Sequence, residues 1–94
     1  MVTILKKKIK NYSAKIGIIG LGYVGLELAT TIAKSRFQVY GFEKNKDKVK
    51  KIKKNRSPIN TISLKKINIL NKKKIFNLNN IKNIFYCDVI IIAL

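Results

Sequence analysis

The chain has 94 residues and a single cysteine, so it can form one domain at most and no internal disulfide bond. It contains no histidine and only four acidic residues, a composition that excludes a conventional metal site. Its formal net charge of +17 attracts polyanions, but lysine outnumbers arginine 19 to 2, and arginine is the better side chain for bidentate phosphate and guanine contacts. We therefore expect no specific nucleic-acid partner.

The sequence predicts neither a secretory signal nor a membrane span. The first ten residues alternate apolar side chains with lysines and lack the apolar core of a signal peptide. Residues 16–33 are apolar, but they include Glu27 and four glycines and are explained by a buried strand that leads into a helix. The lone Cys87 is typical of a reducing compartment. We therefore expect a cytoplasmic protein without membrane contact.

The first half of the chain begins with a predicted polar or frayed lead-in over residues 1–13, where a short helical turn is an alternative. An apolar run at residues 15–19 then predicts a strand buried on both faces, because no polar residues alternate with the apolar ones. Three glycines follow with the spacing G-x-G-x-x-G, at Gly20, Gly22 and Gly25. In a dinucleotide site these glycines allow, in turn, a tight bend, close approach to a pyrophosphate, and close helix packing.

A helix over residues 23–35 and a second strand over residues 37–42 complete a strand–helix–strand unit, whose crossover is almost always right-handed. Apolar side chains recur at helical spacing, at Val24, Leu28 and Ile32, and Leu21 and Leu26 lie nearby for the sheet contact. Glu43 follows the second strand, eighteen positions after the last glycine of the motif, near the expected distance for an acid that binds ribose hydroxyls. This context predicts a dinucleotide site whose pyrophosphate lies at the helix N-terminus.

The rest of the chain predicts further helices and strands. A helix at residues 47–55 is capped by Asn45, surrounded by lysines and ended by a break at 57–59. The remaining predicted elements are a helix at 63–71, a short strand at 74–78, one or two helical turns around 81–85, and a strand at 88–94. The last strand is unbroken and apolar, so we expect it to be central. The fold class is α/β, a Rossmann-like parallel sheet of about four strands, truncated where the last strand should lead into a binding loop.

The sequence contains the stretches KIGIIGLGYVGLELA, VYGFEKNKDKVKKI, RSPI and CDVIIIAL. Together they resemble the start of the nucleotide-sugar dehydrogenases, which include UDP-glucose, UDP-N-acetylhexosamine and GDP-mannose dehydrogenases. The resemblance covers residues 14–94, which we expect to be a partial NAD-binding domain. It implies oxidation of the primary alcohol of a UDP- or GDP-sugar to a carboxylate, with NAD as cofactor and a cysteine thiolate that holds the intermediate.

The resemblance also implies which residues bind NAD. The matching positions are Gly20, Gly22, Tyr23, Val24, Gly25, Glu43 and Lys48. A carboxylate at Glu43 would accept hydrogen bonds from the adenosine ribose and repel a 2′-phosphate, so NAD is favoured over NADP, although Lys44 and Lys48 soften that repulsion. Cys87 does not match the family's nucleophile, because it precedes the last strand at the end away from the site. We expect a small buried apolar side chain there.

Three departures from the family pattern bear on function. Glu43 stands where the family usually has aspartate, and its longer side chain would displace the ribose slightly. Glu27 stands where the family usually has proline, in the predicted first turn of the helix, where its charge would lie near the pyrophosphate. The family's Pro-Thr-Pro loop, sugar-binding domain and catalytic cysteine, lysine and asparagine have no counterpart in these 94 residues. We therefore expect an NAD-binding fragment that is inactive alone and meets a nucleotide sugar only in a full-length parent.

Two other functions stay open from the sequence. The chain could be a stand-alone NAD-binding or regulatory module, or a basic protein that associates with nucleic acids. Because later strands of the family's sheet are missing, one sheet edge would be left uncovered. We therefore predict self-association through this edge.

Overall fold

The computed structural model describes residues 2–56, 64–72 and 81–93. The elements are, in chain order, α1 (Val2–Lys10), β1 (Lys15–Ile19), α2 (Tyr23–Lys34), β2 (Gln38–Phe42), α3 (Lys46–Lys53), α4 (Leu64–Lys72), a 3-10 helix (Ile81–Tyr86) and β3 (Val89–Ile92). From β1 onward the predicted elements at these positions are confirmed, with ends that shift by one or two residues. The predicted strand at 74–78 and the predicted break at 57–59 lie outside the described residues.

The described strands form one parallel sheet in the order β2-β1-β3. Ile16 of β1 stands opposite Val39 of β2 on one side and Val89 of β3 on the other. Helix α2 provides the crossover from β1 to β2. This arrangement is the predicted α/β architecture, in which parallel neighbours are connected through a helix.

The expected central position of the last strand is wrong within the described part of the sheet. There β3 pairs with β1 alone, and β1 is the central strand. Ile91 packs against the core, whereas Ile90 and Ile92, which alternate with it, are 46% and 65% exposed. An unbroken apolar run indicates contact with a core, but it does not tell whether both edges of the strand are paired.

Helix α2 packs on the sheet and forms the core with α3 and α4. The buried side chains of this core belong to Ile18, Leu21, Leu26, Ala29, Ala33, Val39, Ile52, Ile67 and Leu70. Leu21 and Leu26, which we expected near the sheet contact, are fully buried, and Leu28 and Ile32 pack against the core while partly buried. The prediction is wrong at Val24, which is exposed. The buried face instead includes Gly25 and two alanines at four-residue spacing, because a helix that lies close to a sheet needs small residues at the contact.

The N-terminal segment also differs from the prediction, because it contains a nine-residue helix rather than a frayed lead-in. Lys8 Nζ donates to Asp88 Oδ1 at 2.8 Å, and Asp88 Oδ2 accepts a hydrogen bond from Lys15 N at 2.8 Å. The ring of Tyr12 packs against that of Phe37, with 5.1 Å between centroids. The ion pair with Asp88, far along the sequence, stabilises a helix that is longer than the short helical turn considered from the sequence. The division of the chain into a lead-in and a domain stays a prediction.

None of the helices in the described ranges combines the length and the apolar character that a membrane crossing requires.

Candidate functional site

The C-terminal end of β1 leads directly into a tight turn at Gly20. Gly20 has a φ of 93°, which lies in the left-handed region that favours glycine. Its N–H donates to Phe42 O at 2.9 Å, so the turn lies beside the C-terminal end of β2. The first glycine of the motif therefore has the conformation that the sequence prediction required of it.

Gly25 and Gly22 lack a side chain for two different reasons. A Cβ on Gly25 would lie 1.9 Å from Gly20 O, so any side chain would push α2 away from the turn. A Cβ on Gly22 would meet no atom of the described chain within 4 Å, so the space beside Gly22 is open. Gly25 is thus required for packing, whereas Gly22 leaves room for a ligand to approach the backbone.

Helix α2 begins at Tyr23, next to this open space. Its N-cap residue is Gly22, which has no side chain to accept hydrogen bonds from the first turn. The side chains of Tyr23 and Val24 are 54% and 58% exposed. Because the first N–H groups of a helix lack intrahelical acceptors and carry the positive end of its dipole, this terminus can bind an anion such as a pyrophosphate.

Glu43 follows β2 and extends towards the glycine turn. Its Oε1 accepts a hydrogen bond from Leu21 N at 3.0 Å, and its Oε2 accepts one from Asn45 N at 2.8 Å. Burial raises the pKa of the Glu43 carboxyl, but these N–H groups and the charges of Lys48 and Lys44 outweigh burial and hold the pKa below its ordinary value. The side chain is therefore an ionised carboxylate near neutral pH.

Lys48 lies in the first turn of α3, which Asn45 caps as predicted. Asn45 Oδ1 accepts hydrogen bonds from Asp47 N at 3.0 Å and from Lys48 N at 3.2 Å. Lys48 is half-buried, and its positive charge contributes to the lowered pKa of Glu43. The structure thus brings all the predicted site residues to the carboxyl ends of β1 and β2 and the first turns of α2 and α3.

Glu27 does not lie where the sequence predicted. It is the fifth residue of α2, beyond the first turn of the helix. Its Oε1 accepts a hydrogen bond from Lys66 Nζ of α4 at 2.6 Å, and the lysine offsets the negative charge that we expected beside a pyrophosphate. No signal in the sequence indicated this pair, because its members are 39 positions apart.

Cys87 precedes β3 and is therefore at the opposite end of the sheet from the glycine turn. A Cβ on Gly17 would lie 2.8 Å from Cys87 Sγ, so the glycine makes room for a half-buried thiol. Burial and the charge of Asp88 raise the pKa of this thiol, although Lys15 acts in the opposite direction. A raised pKa disfavours the thiolate that a nucleophile requires. Within the described ranges, no group of three His, Cys, Asp or Glu side chains could hold a metal ion.

Comparisons with known proteins identify the family of the chain. Residues 14–94 match the model of the UDP-glucose/GDP-mannose dehydrogenase family, NAD binding domain. Over 39 residues the chain is 59% identical to the UDP-N-acetyl-D-glucosamine 6-dehydrogenase of Salmonella typhi. This alignment covers 42% of this chain and 9% of the relative. Over 78 residues it is 35% identical to protein CapL of Staphylococcus aureus, and this alignment covers 83% of this chain and 18% of the relative.

Solved structures share the fold. A UDP-glucose dehydrogenase from the archaeon Pyrobaculum islandicum matches with a TM-score of 0.77 at 23% identity, over 86% of this chain and 19% of the other. A GDP-mannose dehydrogenase from Pseudomonas aeruginosa, solved as a ternary complex, matches with a TM-score of 0.74 at 26% identity, over 84% of this chain and 19% of the other. The chain spans less than a fifth of the length of these relatives. It belongs to the UDP-glucose/GDP-mannose dehydrogenase family, whose NAD-binding domain it matches.

Proposed function

We propose that the chain is the NAD-binding part of a nucleotide-sugar 6-dehydrogenase and that it binds the cofactor along the carboxyl ends of β1 and β2. The observation that carries this proposal is the N-terminus of α2, open beside Gly22, with the Glu43 carboxylate at the end of the neighbouring strand. NAD is the cofactor of the domain family that the chain matches. When bound, NAD accepts the hydride that an alcohol loses on oxidation.

The glycine turn and the first turn of α2 would hold the pyrophosphate. Gly20 sets the direction of the turn, Gly25 keeps α2 close to it, and Gly22 leaves space for the phosphates. Tyr23 and Val24 would contribute backbone N–H groups, as helix N-termini do in other phosphate sites. The proposed role of these residues is to bind and orient the cofactor.

Glu43 would bind the adenosine ribose. A carboxylate offers about four lone-pair positions. The N–H groups of Leu21 and Asn45 use one position on each oxygen, so each oxygen keeps a position for a ribose hydroxyl. A 2′-phosphate would be repelled by this carboxylate, so we propose a preference for NAD over NADP. Lys44 and Lys48 place positive charge at the same end of the cofactor and reduce the size of that preference.

For a full-length parent we propose oxidation of the primary alcohol of a UDP- or GDP-sugar to the uronate. The matched family supports this activity, and so do two relatives whose names include a nucleotide sugar, the UDP-N-acetyl-D-glucosamine 6-dehydrogenase and the GDP-mannose dehydrogenase. We expect the 94-residue chain alone not to oxidise such a sugar, since Cys87 lies away from the glycine turn and has a raised thiol pKa. NADH formation by the purified chain with any UDP- or GDP-sugar would contradict this expectation.

Titration calorimetry with NAD and NADP tests the binding proposal. We expect the chain to bind NAD, to bind NADP more weakly, and to bind NAD more weakly after Lys48→Ala. Lys53→Ala is the matched control, because Lys53 is an exposed lysine at the other end of α3, and it should leave NAD affinity unchanged. The absence of binding at millimolar NAD, or equal effects of the two substitutions, would overturn the assigned site.

We also propose that copies of the chain associate through β3, which lies at an edge of the described sheet and exposes Ile90 and Ile92 on one face. Binding to nucleic acids should be nonspecific and should be lost near about 0.2 M salt, because charge attraction falls steeply with ionic strength. The proposed compartment is the cytoplasm, which suits a chain with one free cysteine and can be tested by cell fractionation.

A further inference from the structure

We infer that Glu43 has a second role as a positioning residue: its carboxylate joins the glycine turn to the start of α3 and holds the turn in its binding conformation. The inference rests on the proposed NAD site and deepens it. The bridge consists of two hydrogen bonds: Leu21 N donates to Glu43 Oε1 at 3.0 Å, and Asn45 N donates to Glu43 Oε2 at 2.8 Å. One side chain thus fixes the backbone of two loops that both border the candidate site.

On the glycine side, two consecutive N–H groups donate to the carboxyl end of β2. Gly20 N donates to Phe42 O at 2.9 Å, and Leu21 N donates to Glu43 Oε1. Gly20 has the conformational freedom of a glycine with positive φ, so the turn needs such bonds to stay in one conformation. The bond from Leu21 fixes the peptide between Gly20 and Leu21, which is one peptide before Gly22, the residue beside the open space.

On the helix side, the bridge continues into α3. Glu43 Oε2 accepts from Asn45 N, and Asn45 Oδ1 accepts from Asp47 N and Lys48 N. A continuous path of hydrogen bonds therefore runs from the glycine turn to the first turn of α3. Because the loops are ordered before a ligand binds, less conformational freedom is lost on binding.

The bridge requires both the length and the two acceptor oxygens of glutamate. Aspartate is shorter by one methylene, about 1.5 Å along the chain, so it keeps a carboxylate for the ribose but cannot hold both N–H groups at these distances. Glutamine keeps the length but has one acceptor oxygen, and its NH2 group would face a backbone N–H. The two substitutions therefore separate the bridging role of Glu43 from its role in ribose binding.

The test combines amide hydrogen exchange by NMR without NAD, and NAD titration, on the unmodified chain and on Glu43→Asp, Glu43→Gln and Asp47→Asn. In both Glu43 variants we expect exchange at Leu21 or Asn45 to accelerate on the order of tenfold, the loss of a typical hydrogen bond. NAD binding should weaken on the order of tenfold in Glu43→Gln and less in Glu43→Asp, which retains the carboxylate. Asp47→Asn removes a neighbouring negative charge without touching the bridge and should change neither measurement.

The outcomes separate the inference from the proposed function. Unchanged exchange at Leu21 and Asn45 in both Glu43 variants would overturn the bridge, whether or not NAD binds. Slow exchange in an unmodified chain that binds no NAD would overturn the proposed function and support the bridge. If the variants fail to fold, the Glu43 carboxyl can be titrated by carbon NMR in the unmodified chain. Burial raises the Glu43 pKa, and the N–H groups of Asn45 and Leu21, helped by Lys48 and Lys44, must outweigh burial if the bridge is present. A Glu43 pKa at or above its ordinary value, together with fast exchange at Leu21 and Asn45 in the same sample, would overturn the bridge.

Discussion

At the scale of single residues, the three glycines of the motif have different physical roles. The carbonyl oxygen of Gly20 lies where a Cβ on Gly25 would be, with a separation of 1.9 Å. Gly22 borders open space, and a Cβ there would meet no described atom within 4 Å. The motif therefore contains two glycines that the fold requires and one whose importance depends on a ligand.

We therefore predict that an alanine substitution affects mainly stability at Gly25 and mainly NAD binding at Gly22. Gly25→Ala should lower the free energy of unfolding by roughly 1–3 kcal/mol, because the methyl group overlaps backbone that cannot move independently. Gly22→Ala should lower it by less than about 1 kcal/mol, the difference between glycine and alanine as an N-cap. Gly22→Ala should nevertheless weaken NAD binding, because its methyl group occupies the space for the phosphates.

Urea denaturation measures the two stabilities, and NAD titration measures the two affinities. Equal losses of stability would contradict the steric distinction between the two glycines. An unchanged NAD affinity in Gly22→Ala would show that the ligand does not approach the backbone there.

At the scale of elements, Asp88 connects three parts of the fold. Its carboxylate accepts hydrogen bonds from Lys8 of α1 and from the backbone N–H of Lys15 in β1, and it directly precedes β3. The Lys15 N–H and then the Lys8 ammonium hold the pKa of the Asp88 carboxyl below its ordinary value, against a smaller opposing effect of burial. The charged form of Asp88 therefore stabilises the attachment of α1 to the sheet.

The lowered pKa determines the sign of the pH dependence. The contribution of Asp88 is fully present above the ordinary aspartate pKa of about 3.9 and is lost as pH falls through the lower folded value. Asp88→Ala should lower the free energy of unfolding by roughly 1–2 kcal/mol at neutral pH, and less in acid. Urea denaturation across this pH range measures the effect.

Lys8→Ala is the control for the Asp88 prediction. It removes the half-exposed ion pair but leaves the bond from Lys15 N, so its effect should be about 0–1 kcal/mol. A loss as large as that of Asp88→Ala would mean that the ion pair with Lys8, rather than the backbone bond from Lys15, provides the stabilising contribution of Asp88.

At the scale of the whole molecule, charge and exposed apolar surface act in opposite directions. The net charge of +17 makes copies of the chain repel one another at low ionic strength. Strand β3, which lies at an edge of the sheet formed by the described residues and exposes Ile90 and Ile92, favours contact between copies. Salt screens the repulsion, with a Debye length of about 10 Å at 0.1 M, and leaves the apolar contact intact.

We therefore predict that association increases with salt. On size exclusion the chain should elute as larger species in higher salt, and Ile92→Lys should shift it back towards the monomer. Ile4→Lys is the control, because Ile4 is similarly exposed but lies on α1. A sharp monomer peak at every salt concentration, or the same shift in both variants, would contradict association through β3.

Features that depend on residues close together in the sequence were predicted, whereas features that depend on residues far apart in the sequence were not. The turn at Gly20 and the cap at Asn45 were predicted because they depend on neighbours within a few positions along the chain. The length of the lead-in helix was missed, because only a short helical turn was considered from the sequence and Asp88 stabilises the helix from the other end of the chain. Glu27 was predicted in the first turn of α2 but lies beyond it. Its ion pair with Lys66 was not predicted, because no sequence motif links the two residues.

By itself the sequence determined the strand–helix–strand unit, its glycine turn, the acid after β2 and the family, because periodicity, glycine conformation and motif spacing are local properties of a chain. Only the tertiary structure decided that β3 lies at an edge of the described sheet, that Glu43 bridges Leu21 and Asn45, and that Asp88 holds α1. The reason is that these contacts join residues separated in sequence or depend on side-chain direction, and neither is encoded in a local pattern.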